Sequence, residues 1–216
     1  WQDAKGQTAL YDKARAAQLA DKIRGASFRV YDVKSTDKAT PPPLLYDLTE
    51  LQRDANRLYQ MSAKDTLASM QRLYETYKAL TYPRTDSRYL TEDIVPTLPE
   101  RLRAVEQGEF APFVAEIRRE KRAIARVCVN NAKVSDHHAI IPTEQPVELS
   151  RLSLDDRRIY LLVVRRFLAA FYPAYQYRRI RAELLAEGER FYAAGRTVLQ
   201  LCLLYTSPSP RDRTRS

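Results

Sequence analysis

The stretch LTYPRTDSRYL, residues 80–90, places a tyrosine, a proline and an arginine together where a helical pattern ends. Proline disfavours the α conformation in the residue before it, so Tyr82 is predicted to be extended and the helix to stop just before it. Side chains two residues apart share a face of an extended segment, which would point Tyr82 and Arg84 the same way. Because an arginine can hold two phosphate oxygens and assist a phenolate, the pair could attack a phosphodiester. An aromatic plug in a solvated turn would have the same sequence.

A second unusual stretch, SDHHAIIPT at 135–143, contains both histidines of the chain. Adjacent side chains in an extended segment face opposite ways, so only one of His137 and His138 can easily face a shared site. No third or fourth ligand stands at a suitable spacing, which argues against a metal site. A general acid or a donor to a phosphate is the functional interpretation, and a hydrogen-bonded loop histidine is the structural one.

The composition favours a folded protein with a polyanionic partner. The chain has 216 residues, 44% of them hydrophobic, enough for one large domain or two small ones. Its formal charge of +9 favours nucleic acid as a partner. No long apolar run and no signal sequence is present, so we expect a cytoplasmic protein without a membrane span. Cys128 and Cys202 form neither a CxxC pair nor a disulfide framework.

The flanks of the chain contain the predicted strands. A helix over 8–24 and a strand over 27–35 come before the connector KATPPP, whose prolines forbid either element. After the middle of the chain, Ser153 and Asp156 cap a helix, and strands at 177–185 and 190–199 are joined by a turn at Glu187 and Gly188. We therefore expect an α+β fold in which the flanks form one β-containing domain with the middle inserted into it.

The middle of the chain is predicted to be rich in helices. Thr49 with Gln52, and Ser62 with Asp65, have the spacing of helix-capping residues. Further helices are expected after Thr91 and over 109–122, and ARVCVNNAKVSDHHAIIPT is interpreted as a strand followed by an irregular loop. The predicted domain boundaries divide the chain into 1–40, 41–145 and 146–200. The tail at 201–216, rich in Ser, Pro and Arg and without periodicity, is interpreted as foreign or disordered.

Three stretches, in this order and spacing, strongly resemble type IA DNA topoisomerases, most closely the bacterial topoisomerase III group. They are PPPLLYDLTELQRDANRLYQMSAKDTLASMQRLYE, LTYPRTDSRYL and NAKVSDHHAIIPT, and the resemblance runs from about residue 9 to about residue 199. It implies that Tyr82 cuts one DNA strand and holds its 5′ phosphate, that Arg84 positions the scissile phosphate, and that His137 contacts the DNA backbone. DNA contacts are also assigned to Arg84 itself and to Gln52, Arg88, Lys133, Ser135, His138 and Thr143.

The resemblance also implies an architecture and a cofactor. The helical domain would have a winged-helix fold, similar to that of catabolite activator proteins, and would be inserted in the β-arch domain of a toroid. Family members hold Mg²⁺ on the carboxylates of an N-terminal Toprim domain. Because no Asp-x-Asp-x-Glu run occurs in this sequence, we expect a fragment that has the nucleophile but no metal ligands. Single-stranded DNA is the expected partner, and the full-length enzyme is expected to be a monomer that passes and religates strands without ATP.

Two other functions compete with this interpretation. A tyrosine recombinase-like strand transferase also uses tyrosine, arginine and histidine, but its tyrosine comes after the other two, whereas Tyr82 precedes His137. A non-catalytic module could bind single-stranded nucleic acid through basic and aromatic residues such as YQYRRIR at 175–181. An ordinary strand with a charged outer face has the same pattern. Formation of a covalent protein–DNA adduct would separate these hypotheses.

Overall fold

The computed structural model describes residues 1–3 and 6–200. The chain divides into two compact units, one formed by Trp1–Thr40 with the strands that start at Tyr175, the other running from Pro41 to Ala174. The chain thus leaves the first unit at the prolines and returns to it at Tyr175. The tail at 201–216, expected to be foreign or disordered, lies outside the described residues, as does Cys202.

The first unit is a helix and an antiparallel sheet with the strand order β1-β2-β3. The carboxylate of Asp12 accepts hydrogen bonds from the backbone at the start of the helix, at Ala14 (2.8 Å) and Arg15 (3.2 Å), which is the usual N-cap arrangement. The elements are α1 (Lys13–Ile23), β1 (Arg29–Thr40), β2 (Tyr175–Ala186) and β3 (Glu189–Gln200).

The hairpin between β2 and β3 confirms the predicted turn. Glu187 and Gly188 have φ values of 49° and 77°, and two successive left-handed residues match the right-handed twist of the strands they join. The prediction that KATPPP is a connector was wrong for its first three residues, KAT, because β1 continues to Thr40, which pairs with Tyr175. The stiff connector is therefore limited to the prolines.

The second unit is helical. Ser62 and Ser153 accept hydrogen bonds from the backbone of Asp65 and Asp156, which confirms both predicted caps. The expected cap at Thr49 was wrong, because the Asp47 carboxylate accepts from the Glu50 backbone and starts the helix earlier. The helices are α2 (Leu48–Tyr59), α3 (Ala63–Glu75), α4 (Leu98–Ala104), α5 (Ala111–Arg119) and α6 (Leu154–Ala169).

Two further expectations for this unit were wrong. The predicted strand in ARVCVNNAKV consists of short 3₁₀ turns at Arg126–Cys128 and Asn131–Lys133. Helix α3 ends at Glu75 rather than beside Tyr82, and the chain then turns through Lys78, whose φ is 53°. Between residues 41 and 174, β structure is limited to isolated bridges, so the winged-helix assignment rests on the resemblance alone.

Helix α6 packs against α3 and α2 and forms the core of the second unit with them. The sequence had assigned this helix to the strand-bearing part at 146–200, whereas the structure groups it with the helices. The Arg72 guanidinium holds both carboxylate oxygens of buried Asp156, at 2.7 and 3.1 Å. Burial alone would raise the pKa of Asp156, but hydrogen bonds from Arg72, Ser153 and Ser69 lower it below its usual value.

No helix in the described ranges combines the length and the apolar character that crossing a membrane would need.

Candidate active site

The segment that carries Tyr82 lies against the loop that carries the two histidines. The backbone N–H of Thr81 donates to the carbonyl of Ile141 (3.0 Å), and the Thr81 hydroxyl accepts from the Ile141 N–H (3.0 Å). The Thr81 hydroxyl also donates to the carbonyl of Ala139 (3.1 Å). The backbone N–H of Ala139 in turn donates to the carbonyl of Tyr89 (2.9 Å). The two sequence motifs therefore form one local structure.

The hydroxyls of Thr85 and Ser87 complete this attachment. Buried Thr85 donates to the backbone carbonyl of His137 (2.9 Å), and Ser87 donates to the carbonyl of Lys133 (2.9 Å). The N-terminal end of α2 joins the same region, because the Leu48 N–H donates to the Thr85 carbonyl (3.2 Å). Buried hydrogen bonds of this kind hold a backbone in one position, so the residues between them are rigidly placed.

Tyr82 is placed between two other rings. Its ring centroid lies 4.1 Å from that of His137, with the planes tilted by 34°. The ring of Tyr74, from α3, packs edge to face against the Tyr82 ring, with 5.5 Å between centroids and 85° between planes. Tyr82 is half-buried, and its hydroxyl makes no hydrogen bond with any residue in the described ranges. The Tyr82 ring is thus held by ring contacts, while its oxygen has no hydrogen-bond partner in these ranges.

Arg84 is exposed, and the residues on either side of it are buried. Pro83 and Thr85 are buried, Tyr82 is half-buried, and Arg84 is the exposed residue among them. The chain bends at Pro83 and Arg84, so it is not the straight extended segment that the sequence predicted. Within residues 1–3 and 6–200, Arg84 has no ion-pair or hydrogen-bond partner. A guanidinium that no carboxylate or carbonyl occupies is free to bind an anion.

The two histidines have different environments. His137 is exposed apart from its contact with the Tyr82 ring. His138 is half-buried, its Nδ1 lies 2.8 Å from the carbonyl oxygen of Ala139, and burial is the main cause that lowers its pKa. Burial disfavours the charged imidazolium, which is the form that a phosphate attracts most strongly. The geometry favours His137 over His138 for a contact with an anionic substrate.

The other predicted DNA-binding residues mostly contact backbone groups. Arg88 donates through Nε to the Leu45 carbonyl (3.2 Å), and Thr143 donates to the Lys78 carbonyl. Gln52 donates to the Ala63 carbonyl (3.1 Å), which links α2 to α3 and is not a contact with the Tyr82 segment. These side chains are used in supporting the fold.

Besides Arg84, the exposed members of the predicted DNA-binding set are Lys133 and Ser135. The Lys133 ammonium lies 3.3 Å from the Tyr89 hydroxyl and 5.0 Å from the centre of the Tyr89 ring. Because Tyr89 belongs to the segment that follows Tyr82, Lys133 lies at the surface formed by the two motifs.

Sequence reasoning missed Arg101 of α4. Its side chain is buried, donates to the Pro142 carbonyl (2.8 Å) and forms an ion pair with Glu144 (2.7 Å), thereby holding the end of the histidine loop. Burial lowers its pKa, although the Glu144 carboxylate acts in the opposite direction. Nothing in the sequence marks it, because an arginine in a short helix is usually solvated. Tyr74 was also missed, for lack of any pattern linking it to Tyr82.

Among residues 1–3 and 6–200, no three His, Cys, Asp or Glu side chains are grouped so that they could hold a metal ion.

A family model for DNA topoisomerase matches residues 2–213 of the chain. The chain belongs to this family. The match continues into the tail that the sequence analysis interpreted as foreign or disordered. DNA topoisomerase 3 of Shouchella clausii is 49% identical over 197 residues, which is 90% of this chain and 27% of that protein. DNA topoisomerase 3 of Bacillus subtilis is 46% identical over 199 residues, with 92% and 27% covered.

These relatives confirm the resemblance to type IA enzymes of the topoisomerase III kind. The full-length topoisomerase I from Thermotoga maritima has a similar fold, with a TM-score of 0.64 at 22% identity over 93% of this chain and 32% of that one. The mixed helix and sheet of the structure agrees with it. The chain spans about a quarter of the length of the curated relatives it matches.

Proposed function

We propose that this chain is the nucleophile-bearing part of a type IA DNA topoisomerase that cuts one DNA strand through a 5′-phosphotyrosine. The observation that carries the proposal is the Tyr82 hydroxyl, which has no hydrogen-bond partner among residues 1–3 and 6–200 while its ring is held 4.1 Å from that of His137. Arg84, which is exposed and has no ion-pair partner in the part of the chain that the structure describes, lies two residues away in the same segment. The family match supports the reaction class.

The proposed step is a transesterification. The Tyr82 oxygen attacks phosphorus, the bond between phosphorus and the 3′ oxygen breaks, and the phenolic proton is balanced by the proton that the departing 3′ oxygen takes up. Religation reverses these bonds, so a phosphodiester is conserved throughout and ATP is not consumed. Between the two steps, the other strand would pass through the break.

Arg84 and His137 would stabilise the phosphate during this step. The planar guanidinium can hold two non-bridging oxygens, which fixes the phosphate and balances the charge that develops on it. The exposed imidazole of His137 would contact the backbone beside the cut or supply a proton. Lys133, Ser135 and, if its hydrogen bond opens, Arg88 would contact the flanking DNA backbone.

The family resemblance assigns Mg²⁺ to the carboxylates of a Toprim domain, where it would neutralise charge on the scissile phosphate. The described residues of this chain form no group of ligands for that ion. We therefore assign the metal to another part of the protein and give Tyr82, Arg84 and His137 the remaining chemistry. The 216-residue chain alone should bind single-stranded DNA but form no adduct, with or without Mg²⁺.

The proposal is tested in a chimaera in which residues 2–200 replace the matching segment of Bacillus subtilis DNA topoisomerase 3. A single-stranded oligonucleotide labelled at its 3′ end should become covalently attached to the protein after denaturation. The same oligonucleotide labelled at its 5′ end should instead release a shortened free product. The opposite labelling pattern would mean a 3′-phosphotyrosine, as in the strand-transferase alternative. A chimaera that folds, binds DNA and never forms an adduct would refute the proposal.

Other properties follow from the same proposal. On the family resemblance we propose that the helical unit has a winged-helix fold and that the sheet unit is a β-arch. We propose on the same basis that the full-length enzyme is a monomer and is cytoplasmic. Sedimentation of the chimaera with and without DNA would test the monomer.

A further inference from the structure

The sheet of the first unit has two faces of different chemistry. Directly paired residues of antiparallel strands share a face, and so do residues two apart along a strand. The register pairs Val33 with Ala182 and Ala193, and Ser35 with Ile180 and Gly195, on one face. The other face, which we call the basic face, carries Lys34, Lys38, Arg179, Arg181 and Arg196.

The cations of the basic face are exposed and poorly neutralised. All five side chains are accessible to solvent. In the described ranges, Lys38, Arg179 and Arg196 have no ion-pair partner, and Lys34 has only a 3.4 Å contact with Asp32. By contrast, Arg178 on the opposite face is held by both oxygens of Asp37, at 2.7 and 2.9 Å. Concentrated cations without carboxylate partners attract a polyanion.

Aromatic rings lie among these cations. Tyr177 is paired with Lys38 across the strands, and its ring centroid is 5.4 Å from that of Tyr175. Tyr192 lies under the Arg181 guanidinium, 4.5 Å from its ring centre. Residues two apart on a strand are separated by about 6.6–6.8 Å, so Tyr177, Arg179 and Arg181 form a regular row of one ring and two cations. Such a row can bind a phosphate backbone and offer a ring on which a base can stack.

We propose that the basic face is a binding surface for single-stranded DNA, separate from the residues that carry out cleavage. The cations contact successive phosphates, and Tyr177 stacks on a base. A single strand fits better than a duplex, because the bases of a duplex are already stacked on each other and cannot use the tyrosine. The site requires no chemistry at Tyr82, so it can be measured without cleavage.

The test compares two neighbouring arginines of the same strand. In the 216-residue chain, Arg179→Gln removes a cation from the basic face, and Arg178→Gln removes one from the opposite face. Both variants change the net charge equally. Binding of a fluorescein-labelled oligothymidylate is followed by anisotropy over a series of salt concentrations. Arg179→Gln should reduce the slope of log K against log salt by about 0.7, the contribution of one phosphate contact, while Arg178→Gln leaves it unchanged.

Tyr177 provides the second comparison. Tyr177→Thr should weaken binding about fivefold or more, and Tyr177→Phe, which keeps the ring, should bind like the unaltered chain. The proposal would be overturned if Arg179→Gln and Arg178→Gln had the same slope of log K against log salt. It would also be overturned if Arg84→Ala abolished binding while Arg179→Gln left binding unchanged. Duplex DNA that competes as well as the single strand, together with normal binding by Tyr177→Thr, would overturn the choice of single-stranded DNA. Circular dichroism spectra that match the unaltered chain confirm that each variant is folded.

Discussion

The two surfaces rich in tyrosine and arginine are held by different means. Around Tyr82, side-chain hydroxyls such as those of Thr81 and Thr85 bind backbone groups of a loop more than fifty residues away. On the basic face, the strands are held by their own backbone pairing, and Arg179 and Arg196 are exposed without an ion-pair partner among the described residues. A reacting group needs a position fixed to a fraction of an ångström, whereas phosphate binding needs chiefly charge.

This difference predicts which substitutions should affect chemistry and which should affect affinity. Changes around Tyr82 should alter the cleavage rate with little effect on DNA binding, because few side chains there are free cations. Changes on the basic face should alter affinity and its salt dependence and leave the rate of bound complexes unchanged. In the chimaera with Bacillus subtilis DNA topoisomerase 3, substitutions of the reacting groups should have the largest effects and substitutions of the residues that position them the smallest.

Tyr82→Phe should abolish adduct formation, because the substitution removes only the attacking oxygen and keeps the ring that packs on His137 and Tyr74. The affinity for a single-stranded oligonucleotide should stay within about twofold of the unaltered chimaera, since no phosphate contact is lost. The measurement is a denaturing gel of the 3′-labelled oligonucleotide, with anisotropy for binding. An adduct trapped with the Phe variant would assign the nucleophile to another residue.

Arg84→Lys should slow cleavage by about a hundredfold or more despite keeping the charge, because an ammonium cannot make the planar two-pronged contact with a phosphate. Single-turnover cleavage at saturating DNA isolates the chemical step. Arg103→Lys is the matched control, since Arg103 is another exposed arginine of the same unit, on α4, and should be neutral. Cleavage at the normal rate by Arg84→Lys would make Arg84 a charged surface residue and no more.

His137→Ala should slow cleavage by about tens to a thousandfold, the usual range for a general acid or a single donor, and His138→Ala should cost less. His138 is half-buried with a lowered pKa, so it contributes little positive charge at neutral pH. His137→Phe separates two roles of His137, because Phe can stack on Tyr82 but cannot donate a proton. If His137→Phe cleaves as fast as the unaltered chimaera, His137 acts only by stacking on Tyr82. If His138→Ala slows cleavage more than His137→Ala does, His138 and not His137 is the histidine that acts in cleavage.

The sequence predicted the local elements best where a physical signal lies within a few residues. The caps at Ser62 and Ser153 and the Glu187–Gly188 turn are confirmed, because each depends on neighbouring residues. The end of α3 at Glu75 was missed, since Pro83 constrains only the residue before it and the helix ends earlier.

The contacts within the candidate site were harder to predict. Resemblance identified Tyr82, Arg84 and the histidines as site candidates, but no sequence spacing shows that the Thr85 hydroxyl binds the His137 carbonyl. The burial of Arg101 and the contact of Tyr74 with Tyr82 also depend on packing between distant segments. Long-range packing of this kind has no local signal, so it required the structure.

Thr85→Val should have the smallest effect of the series and should act through His137. Valine has nearly the same shape but loses the bond to the His137 carbonyl (2.9 Å) and the bond accepted from the Ser87 N–H (3.1 Å). The free energy of unfolding should fall by about 1–3 kcal/mol, and cleavage should slow by a few-fold to tenfold, since the loop is held less firmly. Thr85→Ser, which keeps the hydroxyl, should restore most of the rate. In a His137→Ala background, Thr85→Val should add almost nothing, because the group that it positions is already absent. Additive losses in that double variant would show that Thr85 supports the fold generally and does not position His137.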